Sequence, residues 1–124
     1  MSELIYKEEV YNIIGMCMDV HRQLGKGFLE IVYKDALEYE CKQNEYFYER
    51  EKEYLIHYKD IVLPHKFYAD FVLFDKIIVE IKNADSIADE FIAQTLNYLA
   101  ASKLKVGLIV NFGKNSLEYK RLVL

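Results

Sequence analysis

The chain has 124 residues, of which 52% are hydrophobic and 29% charged, with a net charge of -4; this is the make-up of a single globular domain over residues 1–124 with a sizeable core. No apolar run is long enough to span a bilayer and the start is acidic and mixed rather than a basic cleavable leader, so a cytoplasmic location and no membrane partner are the expectation. The negative balance argues against a protein that coats a polyanion through clustered Lys and Arg, while leaving room for a local basic rim around an acidic, metal-filled site.

From Glu3 to Leu24 the residues Val10, Ile13, Ile14, Cys17, Val20 and Leu24 recur at spacings of three and four, which predicts an amphipathic helix ending at Gly25. Gly25-Lys26-Gly27 breaks the chain. A second helix from Phe28 to Gln43 turns Leu29, Val32, Tyr33, Ala36 and Leu37 inward, and Asn44 closes it. Cys17 and Cys41 fall in these helices without Cys-x-x-Cys or Cys/His spacing, so they read as buried free thiols rather than a zinc or redox site.

Between Tyr46 and Tyr58, Phe47, Glu49, Glu51 and Glu53 alternate with Tyr48, Tyr54, Ile56 and Tyr58, which predicts a long strand with one wet face at a sheet edge. Lys59-Asp60 turns the chain. Ile61 to Leu63 and Lys66 to Phe74 form the next strand, with a local break at Pro64, and Ile77 to Lys82 form the third. Together they make an antiparallel meander whose two inner strands are apolar on both faces, so both faces should be covered. Ser86-x-x-Asp89 resembles a capping box and opens a helix to about Ser102, with Ile87, Phe91, Thr95, Leu96 and Leu99 as its periodic positions. Val106 to Phe112 is a short apolar strand followed by Gly113, and Glu118 to Leu124 is a candidate edge strand.

The chemistry concentrates between Ala69 and Lys82, where Asp70, Glu80 and Lys82 interrupt apolar strands. Removing a carboxylate or an ammonium from water costs several kcal/mol unless it is paired or binds a metal, and one cation site would account for all three. Glu80 and Lys82 share a strand face, with Ile81 pointing the other way. A two-residue loop at Asp75-Lys76 would pair Phe74 with Ile77 and put Asp70 and Glu80 on opposite faces; a common site therefore requires an odd-length loop or a bulge. If they meet, Asp70 and Glu80 hold Mg²⁺ or Mn²⁺, the Ile81 carbonyl is a further ligand, and Lys82 orients or deprotonates water or offsets transition-state charge. The plainer alternative is a Glu80–Lys82 pair on a partly exposed strand, with Asp70 bonded to a turn.

Other residues carry two readings each. Glu30, in the first turn of the second helix, complements the helix dipole or serves the site. Gln94 and Tyr98, four apart on one helix face, address a substrate phosphate or base together, or Tyr98 packs the core. His21 suits a helix C-terminal cap better than a general base. His57 and His65 show no ligand spacing, and the tyrosines of residues 46–58 pack the sheet or stack on bases.

Gly27-Phe28-Leu29-Glu30-Ile31-Val32-Tyr33 reads as Gly-x-x-Glu-x-x-Tyr, and the chain resembles the small GxxExxY proteins, similar in turn to the PD-(D/E)XK nuclease superfamily. The likeness continues through Val20-His21-Arg22, Leu24-Gly25, Tyr58-Lys59, Ala69-Asp70, Val79-Glu80-Ile81-Lys82, Gln94 with Leu96-Asn97-Tyr98-Leu99, and Asn111-Phe112-Gly113. It implies an α/β, restriction-endonuclease-like core: a three-stranded antiparallel meander plus a returning fourth strand, flanked by helices. It also implies Asp70 and Glu80 as metal ligands, Lys82 as the catalytic lysine, Glu30 as the helix carboxylate completing the metal shell, and Gln94 with Tyr98 as a substrate-binding helix motif. Lys26, Pro64 and Tyr68 depart from the family's Pro, Gly and Arg, and the loss of that Arg removes a phosphate contact. The expected function is a Mg²⁺- or Mn²⁺-dependent nuclease acting on DNA. The alternative is a catalytically inactive nuclease-fold interaction or regulatory module, and a homodimer through the exposed aromatic strand fits either.

Overall fold

The computed structural model describes residues 4–124. Among these residues, three helices and five strands run in the order α1 (Lys7–Leu24), α2 (Glu30–Gln43), β1 (Tyr48–Tyr58), β2 (Ile61–Leu73), β3 (Ile77–Lys82), α3 (Asp89–Ser102), β4 (Val106–Asn111) and β5 (Glu118–Val123). The strands form one sheet in the order β1-β2-β3-β4-β5. Only the β3–β4 pair is parallel, and α3 makes the crossover it requires. The meander and the returning fourth strand match the sequence expectation; β1 and β5 are the edges.

Residues alternate along the inner strands so that each face meets its own helices. Phe71, Leu73, Ile77, Val79, Ile81, Val106, Leu108 and Val110 pack with Ile13, Cys17, Val20, Tyr33, Leu37 and Cys41 of α1 and α2. Val72, Ile78 and Ile109 pack with Tyr98 and Leu99 of α3. Gly107 allows α3 to lie this close, because a Cβ there would come within 2.9 Å of the Thr95 Cγ2. Both cysteines are buried free thiols, as their positions in the sequence indicated.

Several boundaries differ from expectation for identifiable reasons. The first helix starts at Lys7; Glu3, its expected start, lies outside the described residues. The second starts at Glu30 rather than Phe28, after Gly27 takes a φ of 111° that continues no helix. β1 begins at Tyr48 rather than Tyr46. Pro64 does not split β2: the strand runs through it, and Leu55↔Lys66 followed by His57↔Val62 sets Leu63-Pro64-His65 opposite Ile56 as a bulge. The capping box at Ser86 is not formed. The helix begins at Asp89 after Ala88, a cap with no side-chain hydrogen bond, and the chain before it is held by the Ile87 N–H donating to Glu118 Oε1 at 3.1 Å.

The β2–β3 connection decides the site. Leu73 pairs with Ile77, leaving the three residues Phe74, Asp75 and Lys76 as the loop, so the two-residue turn at Asp75-Lys76 gives way to the odd-length one that a shared site requires. Phe74 and Asp75 take positive φ values of 58° and 59°. The Phe74 ring packs edge-on against Tyr46 at 4.9 Å, a tertiary contact that offsets a backbone conformation bulky residues avoid.

Candidate functional site

The β2–β3 ladder runs from Leu73↔Ile77 to Phe71↔Val79, and in that register the next pair is Asp70 opposite Glu80. There the side chains take over from the ladder. The Asp70 N–H donates to Glu80 Oε2 at 2.7 Å, and the Ile81 N–H donates to Asp70 Oδ2 at 2.8 Å. Each carboxylate thus accepts a backbone N–H from the other strand, which fixes both. Glu80 is 2% exposed and Asp70 8%. Burial, and then the Asp70 charge, raise the Glu80 carboxyl to about 8 against the pull of the Asp70 N–H, Lys82 and Lys34.

The strand alternation slips at this point. Ala69 packs with the α3-side core whereas Phe71 packs with the α1 and α2 side. On β1 the Arg50↔Phe71 and Lys52↔Ala69 pairs bracket Glu51 opposite Asp70, and Glu51 has a φ of 52°. A third carboxylate therefore lies in the same row, one that the sequence did not single out.

Lys34, also absent from the sequence expectations, occupies the centre of the cluster. Its Nζ is 2.8 Å from Asp70 Oδ1, 3.3 Å from Glu51 Oε1 and 3.5 Å from Glu30 Oε1. Burial opposes its charge, but the hydrogen bond and charge of Asp70, followed by Glu51, outweigh burial and hold the ammonium above its ordinary value. The available signal was local: Lys34 lies four residues after Glu30, one helical turn along the same face. Glu30 is thus brought to Asp70 through Lys34. Among the described residues no three His, Cys, Asp or Glu side chains are grouped to hold a metal as they stand.

Gly-x-x-Glu-x-x-Tyr has a physical basis. The buried Tyr33 hydroxyl donates to the Gly25 carbonyl at 2.7 Å and accepts the Phe28 N–H at 3.3 Å, while its ring stacks on Phe112 at 4.6 Å. Asn83 Nδ2 donates to the Phe28 carbonyl at 2.7 Å. The loop before Glu30 is therefore tied to the end of β3, beside Lys82.

Lys82 points toward α3, donating to Gln94 Oε1 at 3.0 Å and lying over the Phe91 ring at 4.8 Å. Tyr98 belongs to the α3-side core, edge-on to Phe67 at 6.2 Å. Burial, and then the charges of Glu80, Asp70 and Glu51, raise its hydroxyl to about 12. His21 bonds the Lys114 carbonyl through Nε2 at 2.9 Å, which occupies the ring structurally.

The sequence pattern of the PD-(D/E)XK nuclease superfamily matches residues 7–122. The chain belongs to this superfamily. The chain has the restriction-endonuclease-like α/β fold of that superfamily, and two solved structures share the fold. The protein SSO0001 aligns at 23% identity with a TM-score of 0.61, over 74% of this chain and 48% of its own, so the chain spans about half its length. An alkaline exonuclease (LHK-Exo) from Laribacter hongkongensis aligns at 13% identity with a TM-score of 0.55, over 99% of this chain and 72% of its own. Comparison with curated protein sequences gave no match.

PD-(D/E)XK nucleases generally use divalent metal ions, and the donor set here suits one. Asp70 and Glu80 are hard oxygen donors, braced and adjacent, and Mg²⁺ is commonly held by one or two carboxylates together with substrate phosphates rather than by an all-protein cage. No described helix is long and apolar enough to cross a membrane.

Proposed function

We propose that the chain is a single-domain nuclease that hydrolyses phosphodiester bonds in DNA with Mg²⁺ or Mn²⁺. The observation that carries this reading is the reciprocal bracing of Asp70 and Glu80 where the β2–β3 ladder ends, with Lys82 two residues further along β3. Asp70 and Glu80 would hold the ion, with the Ile81 carbonyl and Glu30 as further donors, and a bound ion would supply the charge that polarises the scissile phosphate and acidifies a water. Lys82 spends one of its three donors on Gln94, which leaves two to orient that water or meet the developing negative charge. Gln94 and Tyr98 line the α3 side, where a phosphate or base would lie.

The test is incubation of purified protein with single-stranded and duplex DNA and with RNA, in Mg²⁺, Mn²⁺ or EDTA. Metal-dependent DNA cleavage, absent in EDTA and lost in Glu80→Ala and Lys82→Ala, is the expected result. Cleavage that survives either substitution would identify a contaminant and overturn the assignment; cleavage of RNA alone would reassign the substrate. One observation favours a second reading: the ammonium of Lys34 already sits on Asp70, as it would in an inactive nuclease-fold module. Saturable Mn²⁺ binding abolished by Asp70→Ala separates the enzyme from that module.

A further inference from the structure

We propose that Lys34 is a resident counter-ion of the carboxylate site, which an incoming divalent cation displaces from Asp70 onto Glu51. The proposal rests on the metal-dependent reading above and adds to it a residue that neither the motif nor the fold assigns.

Three observations carry it. The lysine of the Glu-x-Lys motif, Lys82, is turned to Gln94 and Phe91, and the cation in contact with Asp70 is Lys34 from α2. Asp70 Oδ2 already accepts the Ile81 N–H, which leaves Oδ1 the less occupied oxygen for a ligand, and Lys34 Nζ lies 2.8 Å from it. A dication bound there would face a like charge in a largely buried setting, where such repulsion is weakly screened. The ammonium therefore has to leave when the metal arrives.

Its destination is already in contact. Glu51 Oε1 is 3.3 Å from the same nitrogen, and its side chain is half exposed, so a small rotation of the flexible Lys34 stem transfers the ammonium from one carboxylate to the other. Without the metal, the Lys34 ammonium offsets the like charges that crowd around it on Asp70, Glu51 and Glu30. With the metal bound, Lys34 neutralises Glu51 and leaves Asp70 free.

The test is calorimetric titration of metal-stripped wild type, Lys34→Met, Glu51→Gln and the double variant with Mn²⁺, each confirmed folded by circular dichroism. Lys34→Met should bind Mn²⁺ about 10-fold more tightly, within the usual span of coupled equilibria. Glu51→Gln should bind several-fold more weakly, and its effect should vanish when Lys34 is already Met, which distinguishes a resting place for the lysine from a metal ligand. Equal or weaker binding by folded Lys34→Met overturns the inference and leaves the metal site standing. No binding by any of the proteins overturns the metal reading as well. If Lys34→Met does not fold, acylation of Lys34 in the wild type, read by mass spectrometry, should rise several-fold on Mn²⁺ saturation; unchanged acylation overturns the inference.

Discussion

Replacing Glu80 by Gln isolates the electrostatic state of the site. The amide keeps the size of the side chain and an oxygen for the Asp70 N–H, but removes the charge that burial and Asp70 disfavour. Because the folded carboxyl is raised from 4.5 to about 8, the native protein binds this proton more tightly than the unfolded chain. The resulting stability is fully present below pH 4.5 and is lost as the pH rises through about 8. At about 1.4 kcal/mol per pKa unit the ceiling is roughly 5 kcal/mol. A third of that would move the midpoint of a domain this size by about 5–10 °C. Thermal melts in EDTA between pH 4.5 and 9 should show wild type and Glu80→Gln nearly coincident at the acidic end. The variant should become progressively more stable toward the alkaline end, while losing its response to Mn²⁺. Parallel curves across the range would show that Glu80 ionises as an ordinary exposed carboxyl, and would refute the account of a desolvated, like-charged pair.

Three further outcomes follow from the geometry. Lys82→Met, which loses the Gln94 hydrogen bond and the Phe91 contact on a partly exposed side chain, should change stability by less than about 1 kcal/mol in urea titration while lowering DNA cleavage by about 100-fold or more. Tyr33→Phe retains the stacking on Phe112 but loses the hydroxyl that closes the Gly25–Phe28 loop; it should lose about 1 kcal/mol and show faster amide exchange at Phe28. Gly113→Ala would drive a Cβ into the backbone of Ala84, which Asn111 holds through its side-chain amide, and should destabilise by about 2 kcal/mol or more in the same titration.

The sequence carried most of the architecture because the strongest signals were periodic. The β3 boundaries Ile77 and Lys82, the edge position of β1 and the antiparallel meander all follow from apolar runs punctuated by charge. The charged residues inside those runs marked the candidate site, and their spacing required an odd-length connection. What was not legible depended on distant contacts. Phe74 adopts a left-handed conformation because Tyr46 receives its ring, which no local turn rule anticipates. Ser86 forms no cap because Glu118, more than thirty residues away, binds the backbone beside it. Glu51 joins the cluster only through the β1–β2 register, and Lys34 only because α2 lies over that row of carboxylates. Both read locally as ordinary surface charges.

The central claim, that Asp70 and Glu80 form a divalent-metal centre, is tested most directly by anomalous diffraction from crystals of the protein equilibrated with Mn²⁺. The account predicts a single strong peak between the Asp70 and Glu80 carboxylates, with the Lys34 ammonium moved from Asp70 to Glu51. No peak at this position, with Lys34 still seated on Asp70, would contradict it.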